Sequence, residues 1–144
     1  MQASKAKTTS VDAREAGQDE AIVYLNGEFL PLDQAKVPVL DRGFIFGDGI
    51  YEVVPAYSRR PFRWPEHLTR LKRSLGKIKI TNPYSDAEWL TLIESLIQRH
   101  PWSNQFIYLH ITRGVAKRDH AFTKDCQPTV FAMSSALQAV PEAL

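Results

Sequence analysis

The eight residues Gln105–Thr112 constrain the fold of this chain more than any other stretch. They read Gln-Phe-Ile-Tyr-Leu-His-Ile-Thr, so both alternating sets of side chains are largely apolar. Successive side chains of a strand point to opposite faces of its sheet. A segment that is apolar on both faces is typical of a strand buried on two sides. We therefore predict that this segment lies at the centre of a sheet.

The start of the ordered sequence predicts a β-hairpin. Residues 22–25 and 28–30 are two short strand-like runs, and Asn26-Gly27 lies between them. Asn-Gly is the dipeptide best suited to a type I′ turn, in which both central residues have positive φ. The two runs should therefore pair as antiparallel neighbours.

Two more strands are predicted, over residues 50–57 and 129–133. Pro55 lies inside the first of them and has no backbone N–H to donate to a ladder. We therefore expect a bulge or an unpaired position there.

Two amphipathic helices are predicted between the strands. The first begins near Pro65, a residue suited to the first helical turn. Its apolar face consists of Leu68, Leu71, Leu75 and Ile78. The second begins with a capping box formed by Ser85 and Glu88, and Pro101 follows its end. Its apolar stripe consists of Leu90, Ile93, Leu96 and Ile97. The order of elements predicts an α+β fold, a mainly antiparallel sheet with two helices packed on one face.

A glycine-rich segment, residues 41–52, precedes the strand 50–57. Because glycine enters left-handed backbone conformations easily, Gly43, Gly47 and Gly49 predict a tightly turned loop. Such a loop would deliver Tyr51 and a carboxylate onto the strand. A plain connection between two strands is the alternative interpretation.

The composition excludes several classes of protein. A chain of 144 residues suits one domain, and we assign residues 21–144 to it and residues 1–20 to a disordered tail. The net charge of +2, without a basic run interleaved with aromatics, argues against nucleic-acid binding. No apolar run is long enough for a membrane span. Cys126 is the single cysteine, so we expect a reducing, cytoplasmic location.

Two groups of polar residues could bind an anion. Arg118 and His120 would project together from an extended segment and could hold a carboxylate. His67 and Arg70 are neighbours on the first helix and could grip a phosphate. A solvated loop and a solvent-facing helix pair are the alternatives. The histidine spacing does not match a metal site.

Three segments together resemble one family. They are residues 41–54, residues 66–71, and the pair Thr112-Arg113-Gly114 and Arg118-Asp119-His120-Ala121-Phe122. In order and spacing they are similar to the N-terminal half of class IV (fold-type IV) pyridoxal-phosphate-dependent aminotransferases, over about residues 22–133. The Arg-x-His pair favours the D-amino acid transaminases within that family over the branched-chain aminotransferases and the aminodeoxychorismate lyases.

The resemblance implies roles for four residues. Arg70 would bind the phosphate of pyridoxal phosphate, and Tyr51, Arg118 and His120 would hold the α-carboxylate of the substrate. In the family the Arg-x-His pair reaches the active site of the partner subunit, so a homodimer is implied. The implied reaction moves an amino group from a D-amino acid to a 2-oxo acid.

The lysine that binds the cofactor covalently in this family lies beyond Leu144, and Lys117 and Lys124 are in the wrong segment to replace it. We therefore expect this chain alone to be inactive, with no catalytic residue of its own. A non-catalytic, dimerising remnant is the alternative, as is the same part of a branched-chain aminotransferase or an aminodeoxychorismate lyase. Proline often follows the position of Phe122 in the family, whereas Thr123 stands there in this chain.

Overall fold

The computed structural model describes residues 21–122 and 124–138, which form one six-stranded antiparallel sheet with helices on one face. The predicted tail, residues 1–20, lies outside the described residues. The strands are β1 (Ile22–Leu25), β2 (Glu28–Pro31), β3 (Gly49–Tyr57), β4 (Arg60–Pro61), β5 (Gln105–Thr112) and β6 (Thr129–Ala136). Their order across the sheet is β2-β1-β6-β5-β3-β4, and every neighbouring pair is antiparallel. The α+β fold is confirmed.

The predicted hairpin is confirmed at the edge of the sheet. Leu25 pairs with Glu28, and the two residues between them have positive φ, 48° at Asn26 and 97° at Gly27. Positive φ at both positions is what a type I′ turn requires. The last strand is longer than predicted, since it continues from residue 133 to Ala136 along β5.

Two long helices, α2 (Trp64–Lys77) and α3 (Asp86–Gln98), cover one face of the sheet. A short helix, α1 (Arg42–Phe46), precedes them. The capping box at the start of α3 is present, because Ser85 accepts from the Glu88 N–H and Glu88 accepts from the Ser85 N–H. The core lies between these two helices and the sheet. It includes Leu71, Leu75, Trp89, Ile93, Leu96, Val54, Ile107, Leu109 and Ala132.

The central strand β5 lies between β3 and β6, as predicted, but only one of its faces is fully covered. Ile107, Leu109 and Ile111 are completely buried beneath the helices. On the other face Phe106, Tyr108 and His110 are only partly buried. The prediction of burial on both sides is therefore met on one side within the described chain. We call this second side the open face of the sheet.

Pro55 causes no bulge. The ladder between β3 and β5 is continuous from Gly49 opposite Thr112 to Ala56 opposite Gln105. The Pro55 carbonyl accepts from the Phe62 N–H, on the side away from β5. The position of the missing N–H therefore faces the edge of the sheet, where proline is tolerated.

The glycine-rich segment is a short helix rather than a loop, which corrects the prediction. Asp41 caps the N-terminus of α1 by accepting from the Gly43 N–H at 2.8 Å. Gly47 ends the helix in the left-handed conformation, with φ of 65°. Only Gly47 of the three glycines has positive φ, so Gly43 and Gly49 do not serve as left-handed turn residues.

Across the part of the chain that the structure describes, no helix combines the length and apolarity required to span a bilayer.

Candidate functional site

A buried carboxylate organises the residues on helix α2. Because side chains alternate along β3, Glu52 points towards α2, and only 3% of it is exposed. Its two oxygens accept from Nε and Nη2 of Arg70, both at 2.7 Å. Nδ1 of His67 donates to the same carboxylate at 3.1 Å. His67 is thus turned inward, so the interpretation of His67 and Arg70 as a solvent-facing pair is wrong for His67.

The ionisation of Glu52 follows from these contacts. Burial favours the neutral acid, but hydrogen bonds from Arg70 and His67 outweigh it, and the pKa of Glu52 lies below its ordinary value. Glu52 is therefore a carboxylate at neutral pH and fixes the orientation of the Arg70 guanidinium.

Arg70 remains available to a ligand. Its side chain is 54% exposed, and within the described residues its hydrogen bonds to Glu52 use only Nε and Nη2. Nη1 is thus left for another acceptor. The groove around it, about 630 Å³, is lined by Arg63, Pro65, Glu66, His67, Thr69, Arg70 and Arg73. Three guanidinium groups against one carboxylate make this groove suitable for a phosphate.

Tyr51 lies on the open face of the sheet, on the side opposite Glu52. It is 66% exposed, and its ring lies 5.9 Å from that of Tyr108. Tyr108 and His110 share a hydrogen bond of 3.1 Å between Oη and Nδ1. Burial lowers the pKa of His110 although the carboxylate of Asp41 acts in the opposite direction. His110 is therefore neutral at neutral pH.

Arg118 and His120 are brought together by one aromatic ring. The Arg118 guanidinium lies 5.8 Å from the ring centroid of Phe46, and the His120 ring lies 5.7 Å from it. Both side chains are exposed. The pair therefore projects from one place in the molecule, next to α1, as its two-residue spacing predicted.

The four candidate residues do not form one cluster through these contacts. Tyr51 lies on the open face, Arg70 on the helix-covered face, and Arg118 with His120 beside α1. From the sequence, Glu52 is the carboxylate that the glycine-rich segment would deliver onto the strand, without an assigned partner. Strand alternation was the signal that could have assigned it, because it directs residue 52 towards the helix that carries His67 and Arg70.

The remaining polar residues do not suggest a metal site. Within residues 21–122 and 124–138, no three histidine, cysteine, aspartate or glutamate side chains come together as metal ligands. The guanidinium, imidazole and phenol groups described above are hydrogen-bond donors suited to anions.

A family model described as amino-transferase class IV matches residues 49–144. The chain belongs to the class IV aminotransferases. The matched range contains Tyr51, Arg70, Arg118 and His120, and the family's cofactor is in general pyridoxal phosphate.

Among class IV aminotransferases, the chain is similar to D-alanine aminotransferases of two bacteria. It is 39% identical over 113 residues to that of Staphylococcus haemolyticus, covering 78% of this chain and 40% of the relative. It is 37% identical over 120 residues to that of Listeria monocytogenes, covering 83% of this chain and 41% of the relative. The chain thus spans about 40% of the length of these relatives.

Solved structures that share the fold include the following two. One is a branched-chain amino acid aminotransferase from Escherichia coli, with a TM-score of 0.76, 20% identity and coverage of 82% of this chain and 41% of that one. The other is a 4-amino-4-deoxychorismate lyase from Pseudomonas aeruginosa, with a TM-score of 0.70, 24% identity and coverage of 83% and 42%. At identities this low the likeness shows the fold alone.

Proposed function

We propose that this chain forms the part of a D-amino acid transaminase that contacts the cofactor phosphate and the substrate carboxylate. The main observation in support is that the chain is 39% identical to a D-alanine aminotransferase over 78% of the chain's residues. The whole enzyme would transfer an amino group from a D-amino acid to a 2-oxo acid. Pyridoxal phosphate, when bound, would supply the electron sink for that reaction.

Arg70 would hold the phosphate group of the cofactor. Glu52 fixes the guanidinium through two hydrogen bonds of 2.7 Å, so little side-chain entropy is lost when a phosphate binds. Arg63 and Arg73 line the same groove and add positive charge. These features support a phosphate subsite on the helix-covered side of β3.

Tyr51, Arg118 and His120 would hold the substrate α-carboxylate. A carboxylate fixed by several donors presents its Cα–H to one side of the cofactor, which selects one enantiomer. Since Tyr51 and the Arg118–His120 pair have separate contacts within one chain, we propose that the trap is completed by a second copy. The homodimer is therefore part of this proposal, and the partly exposed aromatic residues of the open face support association.

Binding rather than turnover is the property to test on this chain. We would titrate the ¹⁵N-labelled chain with pyridoxamine 5′-phosphate, whose amine does not form imines with surface lysines, and follow the Arg70 Nε–H resonance. Pyridoxamine without phosphate is the ligand control. Arg70→Lys should weaken binding far more than Arg73→Lys, which removes a guanidinium from the same groove. Equal losses in the two variants would mean that only general charge attracts the phosphate.

The carboxylate trap needs its own measurement. Addition of D-alanine should shift the resonances of Arg118 and His120, and Arg118→Ala should abolish the shift at His120 without changing the pyridoxamine 5′-phosphate titration. A branched-chain aminotransferase or an aminodeoxychorismate lyase would be little affected by that substitution. A size-exclusion profile that stays monomeric at every concentration would contradict the homodimer. The cytoplasmic location remains a prediction from the single cysteine.

A further inference from the structure

The loop that carries Arg118 and His120 is held through its main chain by Arg42 of helix α1. Nη1 of Arg42 donates to the Asp119 carbonyl at 2.6 Å, and Nη2 donates to the His120 carbonyl at 3.4 Å. Arg42 itself is 5% exposed, whereas the loop residues are exposed. A buried side chain therefore holds an exposed loop through hydrogen bonds to its main-chain carbonyls.

The Arg42 guanidinium is itself fixed from a second side. Its Nε donates to Oδ2 of Asp48 at 2.8 Å. The same carboxylate accepts from Nε and Nη2 of Arg113 at 2.7 and 3.1 Å, and Arg113 Nη2 also donates to the Ile78 carbonyl at 2.7 Å. Asp48 thus joins Arg42 to the end of α2. A guanidinium held this way can direct its remaining N–H groups with little freedom.

Phe46 links the same arginine to the two loop side chains. Its ring lies 4.7 Å from the Arg42 guanidinium, and Arg118 and His120 contact it from the loop. The main chain of the loop and the side chains that it presents therefore rest on neighbouring residues of one short helix.

We propose that Arg42, held by Asp48, is a positioning residue for Arg118 and His120. By binding the carbonyls of residues 119 and 120, it fixes the segment from which both side chains project. This inference deepens the proposed carboxylate trap and rests on it for its functional meaning. Other contacts of the loop are the alternatives: the turn in which Asp119 accepts from the Ala121 N–H, the Arg113 guanidinium over Phe122, the bond from the Ala116 N–H to the Leu40 carbonyl, and the Phe46 ring already described.

Arg42→Lys separates these possibilities. Lysine keeps the charge opposite Asp48 but has no planar fork to reach two carbonyls. The matched control is Arg59→Lys, because Arg59 also donates to main-chain carbonyls, those of His100 at 2.6 Å and Ile97 at 3.2 Å, at the end of α3. Both variants lose similar hydrogen bonds, but only the first loses them at the loop.

The test is amide hydrogen exchange at Ala116 and Ala121, whose N–H groups donate to the Leu40 carbonyl and to the Asp119 side chain, followed by a D-alanine titration. Arg42→Lys should speed exchange in that loop about tenfold, since a charged hydrogen bond is worth roughly a factor of ten in a local opening equilibrium. Arg59→Lys should leave the loop unchanged. In the wild-type chain, where folding of a variant is not in question, the Arg42 Nη protons that donate to the two carbonyls should exchange with water far more slowly than those of Arg118.

Loop exchange equal in wild type and Arg42→Lys, or rapidly exchanging Arg42 Nη protons in wild type, would overturn the anchor. In the ligand titration Arg42→Lys should weaken D-alanine binding and leave pyridoxamine 5′-phosphate binding unchanged, a division that general destabilisation does not produce. If Arg42→Lys speeds exchange in the loop but the wild-type chain does not bind D-alanine, the anchor is supported and the proposed carboxylate trap is overturned. The two failures are thus distinguishable.

Discussion

Asp41 offers the sharpest quantitative test of how α1 is attached to the sheet. Its side chain is buried, with 1% exposed. Oδ1 accepts from the Gly43 N–H at 2.8 Å and from the Thr112 hydroxyl at 2.7 Å, while Oδ2 accepts from the Thr129 hydroxyl at 2.6 Å. One carboxylate therefore caps α1 and joins it to the ends of β5 and β6.

The cost of Asp41→Ala follows from those three hydrogen bonds. Loss of an N-cap costs about 1 kcal/mol. Each buried threonine hydroxyl left without its acceptor costs about 1 kcal/mol or more. We therefore expect the free energy of unfolding to fall by about 3 kcal/mol, a decrease in Tm of roughly 10 °C for a chain of this size.

Urea unfolding followed by tryptophan fluorescence measures this loss, because Trp89 is fully buried in the core. Ser85→Ala is the matched control, since Ser85 caps α3 without any contact to a buried threonine. It should cost about 1 kcal/mol. Thr129→Val should destabilise the wild-type chain but not the Asp41→Ala chain, as in a double-mutant cycle. A loss for Asp41→Ala no greater than that for Ser85→Ala would refute the reasoning.

Three further predictions concern acid stability and packing. The contacts of Glu52 with Arg70 and His67 lower its pKa, so the stability that it contributes with Arg70 is present at neutral pH and is lost as the pH falls through this lowered folded-state pKa. The urea midpoints of wild type and Glu52→Gln should converge as the pH falls, and a difference that stays constant with pH would contradict this prediction. Because the pKa of His110 is lowered in the folded chain, the unfolded chain binds more protons, and the free energy of unfolding falls as the pH drops below about 6.5. His110→Gln should remove this part of the pH dependence of the free energy of unfolding. A Cβ on Gly43 would lie 2.2 Å from Cγ2 of Thr112, so Gly43→Ala should lower the free energy of unfolding by about 2 kcal/mol. Thr112→Ser in the same chain removes Cγ2 and should restore part of that free energy. No recovery would mean that the clash is relieved elsewhere.

The elements that local chemistry determines were predictable from the sequence. The Asn26-Gly27 turn and the capping box at Ser85 each depend on a few neighbouring residues, and both are present. The apolar stripe of α2 was correct for Leu68, Leu71 and Leu75 because helical spacing alone places them on one side.

Helix α1 could not be predicted in the same way. Five residues form too short a helix to be stable alone, since ordering the backbone of the first turn loses more free energy than its single hydrogen bond gains. Here the turn is stabilised from a distance, by the Thr112 and Thr129 hydroxyls on Asp41 and by Asp48 on Arg42. None of those partners is visible in the local pattern, where the glycines dominate.

The candidate site also has one part that local spacing predicts and one part that depends on tertiary contacts. Residue spacing placed Arg118 beside His120 and His67 beside Arg70, and both pairs are neighbours in the structure. Strand alternation could have placed Glu52 on the helix-covered face, but its bonds to Arg70 depend on the docking of α2 onto β3, a tertiary contact that spacing does not encode.

Because Arg42 holds the loop through carbonyl groups, it restricts the main chain of the loop and leaves its side chains free to vary. Carbonyls are common to all residues, so the anchor is indifferent to the side chains at positions 118 to 120. Those side chains are exposed and can be exchanged without altering the groups that Arg42 binds. The side chains at positions 118 to 120 can therefore vary while the hydrogen bonds that hold the loop stay the same. Under the proposed carboxylate trap, substitutions there would change substrate preference with little effect on the stability of the domain.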